Sequence, residues 1–252
     1  HKLRILLAED NPVNRKLAVR LLEKRGHQVA VAQNGREAIA TLGTQSFDIV
    51  LMDVQMPEMD GFQATAAIRE KEKTTGSHLR IIAMTAHSMK GDKERCLAAG
   101  MDGYVSKPIS TEELFETIED ATVVPVAVNP TSEESTVSPI NWEEALARVE
   151  GDRQLLADMA KLFLEDGPKL FAEVRAALAQ RDSKALEHAA HALKGSTGNF
   201  SAHAAYEAAL SLEKIGRGGD LTRAEEACRV LEQELARLWP AIEAMVTGRV
   251  HS

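Results

Sequence analysis

Cysteine is nearly absent from this chain. Cys96 and Cys228 are the only two in 252 residues, they lie far apart, and neither sits in a CxxC pair. Neither a disulfide framework nor a thiolate zinc site is indicated, as expected in a reducing compartment. Excess positive charge is missing too: 30 Lys and Arg stand against 38 Asp and Glu, a formal charge of −8. A nucleic-acid-binding surface therefore has no global electrostatic support. No apolar run approaches the roughly 18–20 residues that cross a bilayer, and no signal peptide precedes the first strand-like segment. Contact with a membrane is not expected of this stretch, and the location read from it is cytoplasmic. Because His1 stands where a Met is usual, the sequence is read as a piece of a longer chain, whose remainder can hold an inner-membrane anchor. Aromatics are few, but 44% apolar and 27% charged residues are ordinary for a globular protein and argue against disorder. The length suits one large domain or two small ones.

The first 120 residues alternate between two textures. Leu3–Ala8, Gln28–Ala32, Asp48–Met52, Arg80–Met84 and Gly103–Val105 are short apolar runs, most of them bounded by turn residues, as buried parallel strands are. Between them lie amphipathic stretches of helical length: Arg15–Lys24, Gly35–Leu42, Gly61–Lys71 and Thr111–Asp120, the last opening on Thr111 as a candidate cap. Strand–helix repetition implies right-handed crossovers and a doubly wound α/β sheet. Residues 121–140 hold three prolines, several Ser and Thr and no periodicity, and read as a flexible linker. From 141 to 248 the apolar residues recur at helical spacing, which predicts an all-α four-helix bundle with a short extra helix near Trp142. Pro168 is expected to break or kink the first long helix, and Asp182-Ser183 and Gly216–Asp220 to form turns, with Asp220 a candidate cap.

In such a sheet, ligands bind at the carboxyl ends of the strands. Glu9 and Asp10 end the first strand, Asp53 the third and Thr85 the fourth, while Lys107 follows the fifth. Carboxylates gathered there repel one another, and a hard divalent cation resolves the repulsion. A lysine and a hydroxyl on neighbouring strand ends can hold phosphoryl oxygens, so the set suits attack of a carboxylate on phosphorus. LLAEDNPVNR, VLMDVQMPEMDGF, IIAMTAH and YVSKPI, in that order and spacing, resemble the receiver domain of two-component response regulators. The resemblance implies a flavodoxin-like five-stranded sheet of order 2-1-3-4-5. It also implies Asp53 as phosphoacceptor, with Glu9 and Asp10 as acidic pocket. The backbone carbonyl of Gln55 would complete a Mg²⁺ (or Mn²⁺) shell, and Lys107 would bind the phosphoryl group ahead of a cis peptide to Pro108. Thr85 and Tyr104 match the hydroxyl and aromatic switch positions. A strand-end Asp also serves haloacid-dehalogenase-type phosphatases, but these need a second Asp two positions on, where this chain has Gln55.

His1, His27, His78, His87 and His251 read as surface residues. His188 and His191 are three apart, yet no HExxH spacing accompanies them and His203 is the only further candidate ligand, so a metal pair is not favoured. Two glycines inside a helix cost roughly 1 kcal/mol each relative to alanine, so Gly195 and Gly198 serve something other than helix stability. Gly195, four residues after His191, lies on the same helix face, and an exposed imidazole beside bare backbone can take a phosphoryl group. HAAHALKGSTGNF in a helical setting resembles the histidine phosphotransfer (HPt) domain of phosphorelays, which implies His191 as the phosphorylated residue with Lys194 and Gly195 as neighbours. The order receiver (1–120), linker (121–140), HPt (141–248) resembles the C-terminal part of a hybrid sensor histidine kinase. It implies relay from a kinase phosphohistidine to Asp53, to His191 and on to the receiver of a downstream regulator. With no ATP-binding domain in sight, this stretch is expected to transfer phosphoryl groups without itself using ATP. The alternative is a phosphorylation-regulated interaction protein whose bundle is only a docking module.

Overall fold

The computed structural model describes residues 2–85, 90–119 and 138–247, for 90–92 the backbone alone. The linker read at 121–140, apart from its last three residues, lies outside the described residues, as do His1, His87 and His251. The chain divides into two compact units, His1–Thr131 and Ser132–Ser252.

In the first unit, β1 (Arg4–Ala8), β2 (Gln28–Ala32), β3 (Ile49–Asp53), β4 (Arg80–Thr85) and β5 (Gly103–Ser106) form a parallel sheet of order β2-β1-β3-β4-β5. The central strands β1, β3 and β4 are buried on both faces, which is why they read as unbroken apolar runs rather than alternating ones. Leu6, Ala8, Val50, Met52, Ile81 and Ala83 share one core with Ala38 of α2 (Gly35–Leu42), Ala64 and Ile68 of α3 (Gly61–Thr75) and Cys96 of α4 (Lys90–Ala98). Their alternate neighbours Ile5, Leu7, Leu51, Ile82 and Met84 bury the opposite face, on the side of α1 (Pro12–Lys24), whose crossover runs the other way.

Local chemistry sets the helix starts. Pro12 occupies the first position of α1, where its missing N–H costs nothing, and Asn11 Oδ1 accepts from the N–H groups of Val13 and Asn14. Asp60 and Gln63 form a reciprocal capping box at α3, and Gly76 ends that helix in the left-handed region. The first hydrogen bond of α5 (Thr111–Glu119) runs from Leu114 to the carbonyl of Ser110, so Thr111 is the first helical residue rather than the cap. His27 departs from its surface reading. It is buried, accepts at Nδ1 from the N–H of Leu3, and stacks on Phe115, and burial lowers its pKa.

The second unit is helical throughout its described residues. A short α6 (Trp142–Arg148), capped by Asn141, precedes α7 (Arg153–Gln180), α8 (Ser183–Asn199), α9 (His203–Gly218) and α10 (Ala224–Val246). Asp182 caps α8, α9 ends on a left-handed Gly219, and Asp220 caps a single 3₁₀ turn, Leu221–Arg223. The turn read at 216–220 is therefore shorter: Gly216, Arg217 and Gly218 still belong to α9. Pro168 does not break α7, which runs through it as one element of 28 residues. Packing around the proline accounts for this. Phe163 is wholly buried between Phe200 and Trp239, with ring centroids 5.3 and 4.8 Å away. Gly167 makes room for that indole, since a Cβ there would lie 2.5 Å from it. Burial of this cluster outweighs the roughly 3 kcal/mol that an interior proline costs a helix.

Candidate functional site

Sheet register assembles the first site. Ala8 is level with Met52, Asp53 with Met84, and Thr85 with Ser106, so the residues just past β1 and β5 arrive beside the end of β3. Glu9, Asp10 and Asp53 each bring an oxygen into one cluster spanning at most 4.8 Å. Lys107 Nζ stands 2.5 Å from Asp53 Oδ2 and 2.6 Å from Glu9 Oε2, and all three side chains are buried. The Lys107–Pro108 peptide is cis. Burial raises the Asp53 pKa well above the usual carboxylate range, the Lys107 charge opposes that rise, and Glu9 and Asp10 add to it. Burial alone would lower the pKa of Lys107, but Asp53 and Glu9 override it and hold the ammonium charged. Gln55 N–H donates to Asp53 Oδ1 at 3.1 Å. Thr85 is buried at the end of β4, and its carbonyl accepts from the Lys107 N–H at 2.7 Å. Tyr104, half-buried on β5, has the Lys93 ammonium 5.1 Å from its ring centroid. Gly61 permits a close approach here, because a Cβ at that position would collide with the carbonyl oxygen of Asp53.

The second site lies in the helical unit. His191 is 7% exposed rather than open, and its Nδ1 is 3.0 Å from Glu213 Oε1 on α9. Lys194 donates to Glu213 Oε2, and Arg217 Nη2 donates to Oε1 at 2.9 Å. Three cationic or protonatable groups thus share one wholly buried carboxylate. Burial would raise the Glu213 pKa, but the hydrogen bond from His191 and the charges of His191 and Lys194 bring it down to about 2. Lys194, read as a neighbour of the phosphorylated histidine, is 1% exposed and paired with Glu213. Gly195 is buried in the same helix. His203 binds Glu144 instead, 3.0 Å away, and among the described residues the only metal-capable cluster is Glu9, Asp10 and Asp53.

Residues 5–119 match the response regulator receiver domain and residues 158–241 match the Hpt domain. The chain is a receiver joined to an Hpt domain. Among relatives, the sensor protein GacS of Pseudomonas syringae is 39% identical over 203 residues, 77% of this chain and 22% of its own. The signal transduction histidine-protein kinase BarA of Escherichia coli K12 is 33% identical over 201 residues, again 77% of this chain and 22% of its own. This chain thus spans less than a quarter of those hybrid sensor kinases. Among solved structures, the receiver domain of sensor histidine kinase PA1611 from Pseudomonas aeruginosa is 38% identical with a TM-score of 0.43, over 47% of this chain and 96% of that one. A receiver followed in sequence by an Hpt domain is a combination of phosphorelay signal transduction.

Sequence reasoning missed Glu213. A signal was there: Ala205, Ala209, Leu212 and Gly216 form the buried stripe of α9, and Glu213 falls within it at helical spacing. A charge in such a stripe needs a partner, and the Hpt histidine and lysine supply it. Among the described residues, helix α9 comes close enough for this because Gly216 has no side chain. A Cβ there would lie 2.6 Å from the backbone nitrogen of Glu187 on α8.

Proposed function

We propose that this chain relays a phosphoryl group from a kinase phosphohistidine to Asp53, from Asp53 to His191, and from His191 to an aspartate on a separate receiver. The observation that carries the reading is the pairing of a buried carboxylate cluster bridged by Lys107 with an imidazole whose Nδ1 is held by a carboxylate. The kinase core is proposed to belong to the same parent polypeptide. The cluster offers three carboxylates without sulfur or imidazole, a donor set that fits Mg²⁺ or Mn²⁺, with Glu9, Asp10, Asp53 and the Gln55 carbonyl as the residues that would hold it. Such an ion, when bound, neutralises charge on the phosphoryl oxygens and on the cluster.

The chain's own groups do the remainder. Asp53 Oδ attacks phosphorus, forming the acyl phosphate as the N–P bond of the donor breaks. Lys107, kept charged by its two carboxylate neighbours, moves its bonding from Asp53 to the incoming phosphoryl oxygens. Thr85 and Tyr104 are assigned as the hydroxyl and aromatic that read the new charge. In the helical unit, an Nδ1–H donated to Glu213 leaves the Nε2 lone pair as nucleophile. Nε2–P forms as the acyl O–P bond breaks, and Glu213 stabilises the positive charge that develops on the ring. Lys194 sets the charge of Glu213, and Gly195 leaves the approach to the ring unobstructed by a side chain. Incubation with a phosphorylated kinase core tests the reading. Base-labile acyl phosphate followed by acid-labile, base-stable phosphohistidine is the expected sequence; acyl phosphate with no phosphohistidine, even when a receiver acceptor is supplied, would favour the docking-module alternative.

A further inference from the structure

Glu9 and Asp10 are consecutive residues, and consecutive side chains of an extended strand point to opposite faces. Both nevertheless bring an oxygen into the one cluster around Asp53. The backbone must turn between them and stay turned. Glu9 is held through its carboxylate: the Asn11 N–H and Asn14 Nδ2 donate to Oε1 at 3.1 and 3.2 Å, and Lys107 reaches Oε2. The peptides themselves are held from elsewhere. Arg15, half-buried in the first turn of α1, places one nitrogen, Nη1, 2.9 Å from the carbonyl oxygen of Glu9 and 2.9 Å from that of Asp10. A planar guanidinium on a helix already fixed by its Asn11 cap is a rigid anchor. It fixes the two peptide planes that set where both carboxylates point.

We infer that Arg15 is a positioning residue for the divalent-cation site, acting on the main chain of the acidic pair rather than on the ion. This rests on the reading of Glu9, Asp10 and Asp53 as that site. The sign of the effect separates the idea from simple electrostatics. A guanidinium acting only as a nearby positive charge would repel a divalent cation, so its removal would tighten binding. As an anchor, its removal loosens binding, and lost supporting contacts around metal ligands typically cost 10–100-fold in affinity.

The test uses the whole chain as wild type, Arg15→Met and Arg15→Lys, each checked for its melting transition by circular dichroism. Mg²⁺ affinity is measured by calorimetry, and the rate of Asp53 phosphorylation by a small phosphoramidate is followed against Mg²⁺ concentration. Arg15→Met is expected to weaken Mg²⁺ by about 10-fold, with Arg15→Lys between it and wild type. The kinetic loss should fall mainly on the half-saturating Mg²⁺ concentration and much less on the rate at saturation. Unchanged or tighter Mg²⁺ binding in Arg15→Met overturns the inference, as does a loss confined to the saturating rate. If Arg15→Met fails to fold, Arg15→Lys decides, and wild-type Mg²⁺ affinity in that variant overturns it. Failure of the wild type itself to bind Mg²⁺ would instead remove the cation site on which the inference stands.

Discussion

Replacing Glu213 by glutamine should cost the helical unit about 3 kcal/mol at neutral pH, and the size follows from its surroundings. A carboxyl held at about 2 rather than its ordinary 4.5 favours the folded state by about 3 kcal/mol once ionised. A second route gives a similar figure: Lys194 is 1% exposed, and breaking a buried pair from one side typically costs about 3–5 kcal/mol. The pH dependence has a definite sign. Because the folded pKa is depressed, the contribution is complete above the unfolded value and fades as pH falls from about 4.5 toward about 2. The gap between wild type and Glu213→Gln should therefore narrow to about 1 kcal/mol at pH 3. The whole chain suits the measurement, because its two tryptophans, Trp142 and Trp239, both lie in the helical unit. Urea titrations followed by indole fluorescence then report that unit without contribution from the receiver. A loss below about 1 kcal/mol at pH 7, or a gap that acid leaves unchanged, would refute the buried-charge argument.

Asp53→Asn should abolish Mg²⁺-dependent acyl phosphate while the receiver still melts cooperatively; acyl phosphate surviving in that variant would remove the phosphoacceptor assignment. His191→Gln should block onward transfer with Asp53 still accepting, whereas loss of phosphohistidine in His188→Gln alone would place the histidine elsewhere. Relay is expected within one chain, so a mixture of Asp53→Asn and His191→Gln chains should label His191 more slowly than wild type and in proportion to concentration, as a radiolabel time course at several dilutions would show. Lys107→Met strands Asp53 and Glu9 as unneutralised neighbours, so it should lower receiver stability by about 3–5 kcal/mol at pH 7 and recover part of it in mild acid, as the Asp53 carboxyl, its pKa raised by burial, takes up a proton. Thermal melts across pH 4–8 check this: a variant that melts with wild type at every pH would show that the lysine contributes nothing.

Much of the receiver was legible because its central strands β1, β3 and β4 are buried on both faces and therefore written as runs of Val, Ile, Leu and Met. The four strand-end motifs were legible for another reason: each places chemistry where the sheet register must bring it together. Helix α4 was not, since KGDKERCLA carries no apolar stripe; among the described residues only Cys96 anchors it in the core, while Leu97 is 46% exposed. Pro168 did not break its helix because a local rule gave way to the packing of Phe163 and Gly167 against Trp239, a residue far along the sequence whose contact only the fold reveals. His27 misled for the same reason, as its partners Leu3 and Phe115 stand 24 and 88 positions away. Glu213, 22 residues after His191, was hidden by the same distance.

Gly61 carries a consequence for anyone recombining this chain with its relatives. The first residue of α3 sits so close to the Asp53 carbonyl that the end of β3 and the start of α3 behave as one inheritable part. A crossover placed between them would join a phosphoacceptor strand from one parent to a turn shaped for another, and any parent with a side chain at position 61 would force that strand end to move. Breakpoints after Thr75 or before Ile49 respect the part; breakpoints within it do not. Libraries built with that rule should retain phosphorylatable chimeras at a rate that libraries cut at Pro57 lose.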